Sequence, residues 1–148
     1  MSVTISVLTP VWNRSAMLPK VFESLQNQTY KNFEWLVGND GSSDGFQEIF
    51  AELVSGSSFP IILVDANIRV GKAKIDNHLI KESSGDLILW CDSDDILLPS
   101  ALQEIVDNWS SIPDTNLNQF IGLTAICRAS KIPQLLNEIP ESNFYPSW

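Results

Sequence analysis

Short apolar, β-branched runs alternate along this chain with segments whose apolar residues recur at helical spacing. That alternation restricts the fold more than any other feature. Thr4 to Leu8 reads as a buried strand, stopped by Thr9-Pro10. Leu18, Val21, Phe22 and Leu25 follow at i, i+3, i+4 and i+7, one face of a helix whose first turn tolerates Pro19. Phe33 to Gly38 reads as a second strand. After the turn Asn39 to Gly45, the positions Phe46, Ile49, Phe50 and Leu53 repeat the helical spacing, with Asp44 expected as N-cap. Ile61 to Val64 is a third strand ending at Asp65. Ile75, Leu79 and Ile80 mark a third helix that ends near Gly85. Leu87 to Cys91 is a fourth strand, apolar on both faces. Pro99 is expected to open a fourth helix through Leu102, Ile105, Val106 and Trp109, and Phe120 to Cys127 reads as a fifth strand.

Strand and helix in strict alternation imply parallel strands joined by right-handed crossovers. Strands apolar throughout imply a sheet covered on both faces. The expected fold is therefore α/β and Rossmann-like: a mostly parallel central sheet with helices on both faces, three layers α/β/α. A hydrophobic content of 44% is enough for the core this requires. Residues 1–148 read as a single domain, with its core in about 1–110; 111–148 reads as the start of a further region, and Ser130 to Trp148, with three prolines, has no clear periodicity.

Nine basic residues against eighteen acidic ones give a net charge of −9, which argues against a nucleic-acid partner. No apolar run approaches the ~20 residues that span a bilayer, and the N-terminus shows no basic segment followed by a long apolar run. The expected location is cytoplasmic, with room for peripheral attachment at the inner face of the membrane. Cys91 and Cys127 sit in apolar runs and read as buried thiols, at a spacing that makes no zinc site.

In an open parallel sheet, ligands bind outside the carboxyl ends of the strands. The first expected strand ends in Thr9, Pro10 and then Trp12-Asn13-Arg14, the second in Asn39-Asp40, the third in Asp65, and the fourth in Asp92-Ser93-Asp94-Asp95. Carboxylates gathered on one edge would repel one another, and a divalent cation would relieve this; oxygen ligands favour Mg²⁺ or Mn²⁺ over zinc. A metal held by a nucleotide diphosphate needs one or two protein carboxylates, which Asp92 and Asp94 can supply. The plain alternative is an Asp-rich helix start that satisfies free backbone N–H groups. Asp40, Ser42, Asp44 and Gly45 match the opening of an EF-hand loop, but Ala51 stands where that loop needs a bidentate Glu. Neither a GxGxxG nor a GxxxxGK[ST] loop is present. The single histidine, His78, lies mid-helix and reads as a packing or surface residue.

Together these segments resemble family 2 glycosyltransferases of the GT-A fold. The pieces that carry the likeness are Thr9-Pro10-Val11-Trp12-Asn13-Arg14, Asn39 to Gly45, Gly85-Asp86, and Asp92-Ser93-Asp94-Asp95 with Leu98-Pro99 after it, covering about residues 3 to 110. The resemblance implies metal-dependent, inverting transfer of a sugar from a nucleotide-diphosphate sugar, with uridine diphosphate the first expectation, to a hydroxyl of a saccharide or lipid-linked acceptor. It implies that Thr9, Pro10, Trp12 and Arg14 lie against base and ribose, that Asn39 and Asp40 lead the base-binding motif, and that Asp65 lies near the base. Asp92 with Ser93 would approach the ribose, and Asp94, with Asp92, the metal. Asn39 stands where the family often has Asp; its carbonyl oxygen can still accept from a uracil N3–H. Asp76 stands where the family often has Arg, and Leu79 where it often has Gly, so Lys72 is the expected cation on the diphosphate. The family's catalytic base comes later in the chain than the metal motif, so no base is named. Competing readings are a nucleotide-sugar or metal-binding module without catalysis, a phosphatase of the haloacid dehalogenase type that uses Asp92-Ser93-Asp94, and a purely structural domain. A homodimer paired through exposed strand edges is a further expectation.

Overall fold

The computed structural model describes residues 2–113 and residue 122. Four parallel strands form one sheet in the order β3-β2-β1-β4: β1 Ile5–Val11, β2 Phe33–Asp40, β3 Ile61–Ala66 and β4 Leu87–Trp90. Between and after them lie α1 Leu18–Gln26, α2 Phe46–Ser55, α3 Lys72–Glu82 and α4 Ala101–Ser110, with a 3-10 turn at Ser15–Met17 before α1. The chain divides into two compact units, Met1–Glu104 and Ile105–Trp148, and the first contains the four described strands. The expected fifth strand, Phe120 to Cys127, the second cysteine and the stretch Ser130 to Trp148 lie outside the described residues.

The side-chain alternation of each strand divides the core into two layers. Trp35 projects toward α1, where its ring meets Phe22, and Phe59 packs among Phe22, Phe33 and Trp35. On the opposite face Leu8 and Leu36 pack with Leu79 of α3, flanked by Ile62 and Val64. Helices α1 and α2 touch each other, whereas α3 packs on β1, β2 and β3. This is the α/β/α layering that the alternation of elements requires. The sheet order reverses at β1, which lies between β2 and β4.

Several boundaries differ from the sequence expectation, each for a local reason. Strand β1 continues through Thr9-Pro10 to Val11. The carbonyl groups of Thr4 and Leu8 accept from β4-side N–H groups, so the even positions of β1 face β4. Pairing with β4 ends at Leu8 opposite Trp90, so the missing N–H of Pro10 falls where no partner strand remains. Strand β2 likewise runs on to Asp40, all of it buried. Gly45, not Asp44, is the N-cap of α2, at φ 81°. The Asp44 carboxylate instead accepts from the Ser15 backbone N–H at 2.8 Å. Helix α4 starts at Ala101, after Pro99. Strand β4 is not covered on both faces: Ile88 and Trp90 are 43% and 42% exposed.

A buried carboxylate fixes β4 against β1. Glu34 of β2 accepts from Ser6 Oγ (2.6 Å), the Ser84 N–H (2.8 Å) and Ser84 Oγ (3.0 Å), and Gly85 N–H donates to Ser6 Oγ (2.8 Å). A Cβ on Gly85 would lie 2.6 Å from the Ser6 nitrogen, so only glycine permits this approach. Asp86 then accepts from Thr4 N–H at 2.8 Å. Gly85-Asp86 is thus the clamp that sets where β4 begins, and through it where Asp92 falls.

Burial alone would raise the Glu34 pKa, but the hydrogen bonds from Ser6, Ser84 and the Gly85 N–H outweigh it and hold the carboxyl below its ordinary value. A depressed folded-state pKa contributes stability above the unfolded value and loses it as pH falls through the folded one. Glu34→Gln is expected to cost about 1–3 kcal/mol at neutral pH. The gap to wild type should narrow as the medium is taken below the normal carboxylate range. Urea titrations at neutral and acid pH check this; a gap independent of pH would remove the charge from the explanation.

Candidate functional site

Beyond Leu8 and Trp90 the sheet loses one strand, and a pocket of about 270 Å³ opens there. It is lined by Pro10, Val11, Trp12, Arg14, Asp40, Arg69, Lys72, Ile75, Asp92, Ser93 and Asp94. Of the expected site residues it brings together Pro10, Trp12, Arg14, Asp40, Lys72, Asp92, Ser93 and Asp94. Thr9, Asn39 and Asp65 are not on its wall. Thr9 is fully buried on the α1 side of the sheet, where its hydroxyl accepts from Trp35 Nε1 at 2.9 Å, so its side chain is packed away from the pocket.

Two loops are fastened together to make the near wall. Asn13, in the left-handed region at φ 50°, accepts from Ser43 N–H at 2.8 Å, while its own N–H donates to Ser42 Oγ at 3.0 Å. Ser15 meets Asp44 through both its N–H and its hydroxyl. The polar turn after β2 therefore serves mainly to hold the loop after β1. Its acidic groups point at separate backbone partners, which disposes of the EF-hand resemblance.

The far wall hangs on Asp40. Its buried carboxylate accepts from Val70 N–H at 2.6 Å and from Gly71 N–H at 3.0 and 3.1 Å, pinning the loop that leads into α3. Gly41, at φ +68°, lies under the same loop; a Cβ there would come within 2.5 Å of the Arg69 nitrogen. Asn39 is buried, and its amide N donates to Asp65 Oδ1 at 2.8 Å while its carbonyl oxygen accepts from Ser42 N–H at 3.0 Å. Gln47 Nε2 also donates to Asp65, at 3.1 Å. An aspartate at position 39 would face Asp65 as a like charge; asparagine supplies a donor instead.

The two exposed carboxylates on the pocket wall, Asp92 and Asp94, are each met by a cation. Arg14 Nη1 lies 2.8 Å from Asp94 Oδ2, and Lys72 Nζ lies 3.2 Å from Asp92 Oδ1 and 3.6 Å from Asp76 Oδ2. The acidic residues at the strand ends therefore do not crowd one another, as the sequence suggested they would. Asp40 and Asp65 are satisfied by N–H donors, and Asp92 and Asp94 by Lys72 and Arg14. The side chains of Arg14, Asp94, Lys72 and Asp92 are all about half exposed, at 54%, 49%, 62% and 55%. Such pairs contribute roughly 0–1 kcal/mol each and exchange readily for other partners.

Three features were not read from the sequence. Arg69 stands over the Trp12 ring, with its guanidinium carbon 3.4 Å from the ring centroid. Lys72 Nζ also stands 5.6 Å from the centroid of the exposed Trp90 ring. Gln28, buried after α1, donates to Leu98 carbonyl at 2.8 Å and accepts from Leu102 N–H at 3.1 Å, tethering the chain that leaves the Asp92–Asp95 turn. The single histidine, His78, is exposed on α3.

The sequence model described as Glycosyl transferase family 2 matches residues 6–134. This chain belongs to that family. A β-1,3-glucosyltransferase of Campylobacter jejuni, named for GalNAc(5)-diNAcBac-PP-undecaprenol, is 30% identical over 102 residues, 69% of this chain and 33% of the relative. An uncharacterised glycosyltransferase of Haemophilus influenzae is 30% identical over 112 residues, 76% of this chain and 36% of the relative. The chain thus spans about a third of the length of these relatives. The fold also matches S. aureus TarS in complex with UDP-GlcNAc, with TM-score 0.65 and 23% identity over 72% of this chain and 32% of that one. A Pyrobaculum calidifontis mannosyltransferase in complex with GDP-Man and Mn²⁺ gives TM-score 0.59 and 21% identity over 62% of this chain and 28% of that one. These likenesses establish the GT-A fold. Among the described residues no helix is long and apolar enough to cross a membrane.

The geometry separates two kinds of aspartate, and stability should reveal the difference. Asp40→Ala leaves buried N–H groups unpaired and is expected to cost about 1.5–3 kcal/mol. Asp92→Ala removes only an exposed pair and should stay within about 0.5 kcal/mol of wild type. Paired denaturant titrations measure both; equal losses would contradict the division.

Proposed function

We propose that this chain forms the nucleotide-sugar-binding part of an inverting, metal-dependent glycosyltransferase. On this reading a sugar passes from a nucleotide-diphosphate sugar, a UDP-sugar first, to a hydroxyl of a saccharide or lipid-linked acceptor. The observation that carries it is the pairing of exposed Asp92 and Asp94 with Arg14 and Lys72 at the mouth of a pocket on the sheet's switch point. Support comes also from the relative named as a glucosyltransferase and from GT-A neighbours solved with UDP-GlcNAc and with GDP-Man and Mn²⁺.

The donor set suits a hard cation. Asp92 and Asp94 offer accessible carboxylate oxygens, and among the described residues no thiol or imidazole donor lines the pocket. Among the described residues no three His, Cys, Asp or Glu converge to hold a metal unaided, so oxygens of a diphosphate would complete the shell. Asp94, with Asp92, would hold Mn²⁺ or Mg²⁺. When bound, the ion would supply Lewis-acid stabilisation of the leaving diphosphate.

The chain's own residues supply the rest. As the glycosidic bond breaks, negative charge gathers on the nucleotide diphosphate. Arg14 and Lys72, exchanged from Asp94 and Asp92, can turn onto its oxygens. Asn39 holds Asp65 through its amide N and accepts from Ser42 N–H with its carbonyl oxygen, whose second lone pair can still accept from a base N–H. The acceptor hydroxyl needs a base. We assign that base to no described residue, since each carboxylate lining the pocket already meets a cation or a backbone N–H.

Calorimetric titration of UDP with and without Mn²⁺ tests the reading. Binding is expected to require the ion and to vanish in Asp94→Ala, while Mn²⁺ alone binds weakly against the Arg14–Asp94 pair. Silence toward UDP, GDP and their sugar conjugates in both conditions would sink it for this chain.

A further inference from the structure

The pocket wall carries Arg14, Arg69 and Lys72. Arg14 is paired with Asp94, and Lys72 is shared between Asp76 and Asp92. Among the described residues Arg69 has no carboxylate partner, and its guanidinium rests over the face of Trp12. That contact seats the guanidinium on the ring and, among the described residues, leaves its N–H fork without a carboxylate, so that it can donate to two oxygens of one phosphate.

The loop beneath it is rigidly held. The flanking N–H groups of Val70 and Gly71 end on buried Asp40, and Gly41 packs directly against the Ile68–Arg69 backbone. The other wall is held just as firmly, since Asn13, next to Trp12, is tied to Ser42 and Ser43. Both members of the stack thus stand on anchored backbone. Such anchoring is unnecessary for a solvated surface arginine but is what a preorganised anion contact requires. At position 76, one turn into α3, the side chain is an aspartate beside Lys72, so that helix brings a carboxylate where a second cation could have stood.

We propose that Arg69, presented on Trp12, is the residue that grips the diphosphate of the nucleotide donor and separates nucleoside diphosphates from monophosphates. This rests on the reading of the pocket as a nucleotide-sugar site. It makes Arg69 a binding residue for the terminal phosphate of the nucleotide product, acting beside Lys72, and gives Trp12 a positioning role through the stack.

The test is competition calorimetry on the whole chain with UDP, UMP, GDP and GMP in Mg²⁺, comparing wild type, Arg69→Gln and Arg69→Lys. Loss of one charge-assisted phosphate contact should weaken diphosphate binding about 10- to 100-fold in Arg69→Gln. Monophosphate binding should change by less than about 2-fold, since that contact is absent there. Arg69→Lys keeps charge without fork or stack and is expected to fall between. Equal losses for mono- and diphosphates, or no loss in Arg69→Gln while wild type binds UDP or GDP, would overturn the inference and leave the proposed function standing. A wild type that binds none of the four would overturn both. Arg69 is exposed, and unchanged circular dichroism of the variants would confirm that binding rather than folding is being read.

Discussion

The site depends on one mismatch in the sheet. Strands β1 and β2 stay paired to Val11 and Asn39, whereas β4 leaves β1 at Leu8 opposite Trp90. The last residues of β1 therefore have a neighbour on one side only. Pro10 can occupy that free side without losing a ladder hydrogen bond, and the chain leaving β4 turns at Asp92–Asp95 below the level of the other strand ends. The cleft is this step. It lies beside the strand where the sheet order reverses, so the crossovers flanking it depart to opposite faces.

Everything around the step maintains it. Glu34, Ser6, Ser84 and Gly85 fix the start of β4, and Gln28 fixes the chain after its end, so the turn carrying Asp92 and Asp94 is held from both directions. Asp40 and Asn13 do the same for the loops on either side. These are buried or backbone-directed hydrogen bonds, costly to leave unmade. The ion pairs at the mouth belong to a different energetic class. They are exposed, screened and individually worth little. Rigid walls with exchangeable charges at the rim are what the physical contrast amounts to.

Periodicity made the elements legible, because a buried face imposes a spacing of two or 3.6 whatever the surrounding contacts. It failed at the carboxyl ends. Thr9-Pro10 and Asn39-Asp40 look like strand terminators, yet their backbones remain in register with neighbours while polar side chains find partners beyond the sheet. Asp44 looked like a helix cap because its type and position suit one; tertiary contact with Ser15 took it instead. The carboxylates at the strand ends were located correctly as chain positions, but their partners were not visible, since Lys72, Arg14, Val70 and Gly71 come from loops distant in sequence. Arg69 escaped for the same reason. The only local signal was an exposed tryptophan in one loop and an unassigned arginine in another. Asn39 departs from the family pattern, and the carboxylate its amide meets, Asp65, lies opposite it only in the β2–β3 register.

The charge arrangement also bears on turnover, on the proposed reading. A chain with net charge −9 would repel a nucleotide diphosphate unless its pocket cancelled that field locally. Here three cations line one small cleft, and two of them are held in place by the carboxylates expected to take up a metal. The same side chains therefore have partners in both states. Before donor binding, Arg14 and Lys72 neutralise Asp94 and Asp92; afterwards the cations can face phosphate and the carboxylates the ion. Neither state leaves Arg14, Lys72, Asp92 or Asp94 without an opposite charge, so for these four the difference between the states stays small. A donor product that must leave after each transfer is better served by such an exchange than by a deep, prepaired cage. Among the described residues Arg69, seated on Trp12 and paired with no carboxylate, would be the pocket cation whose contact with the ligand needs no prior pair to break.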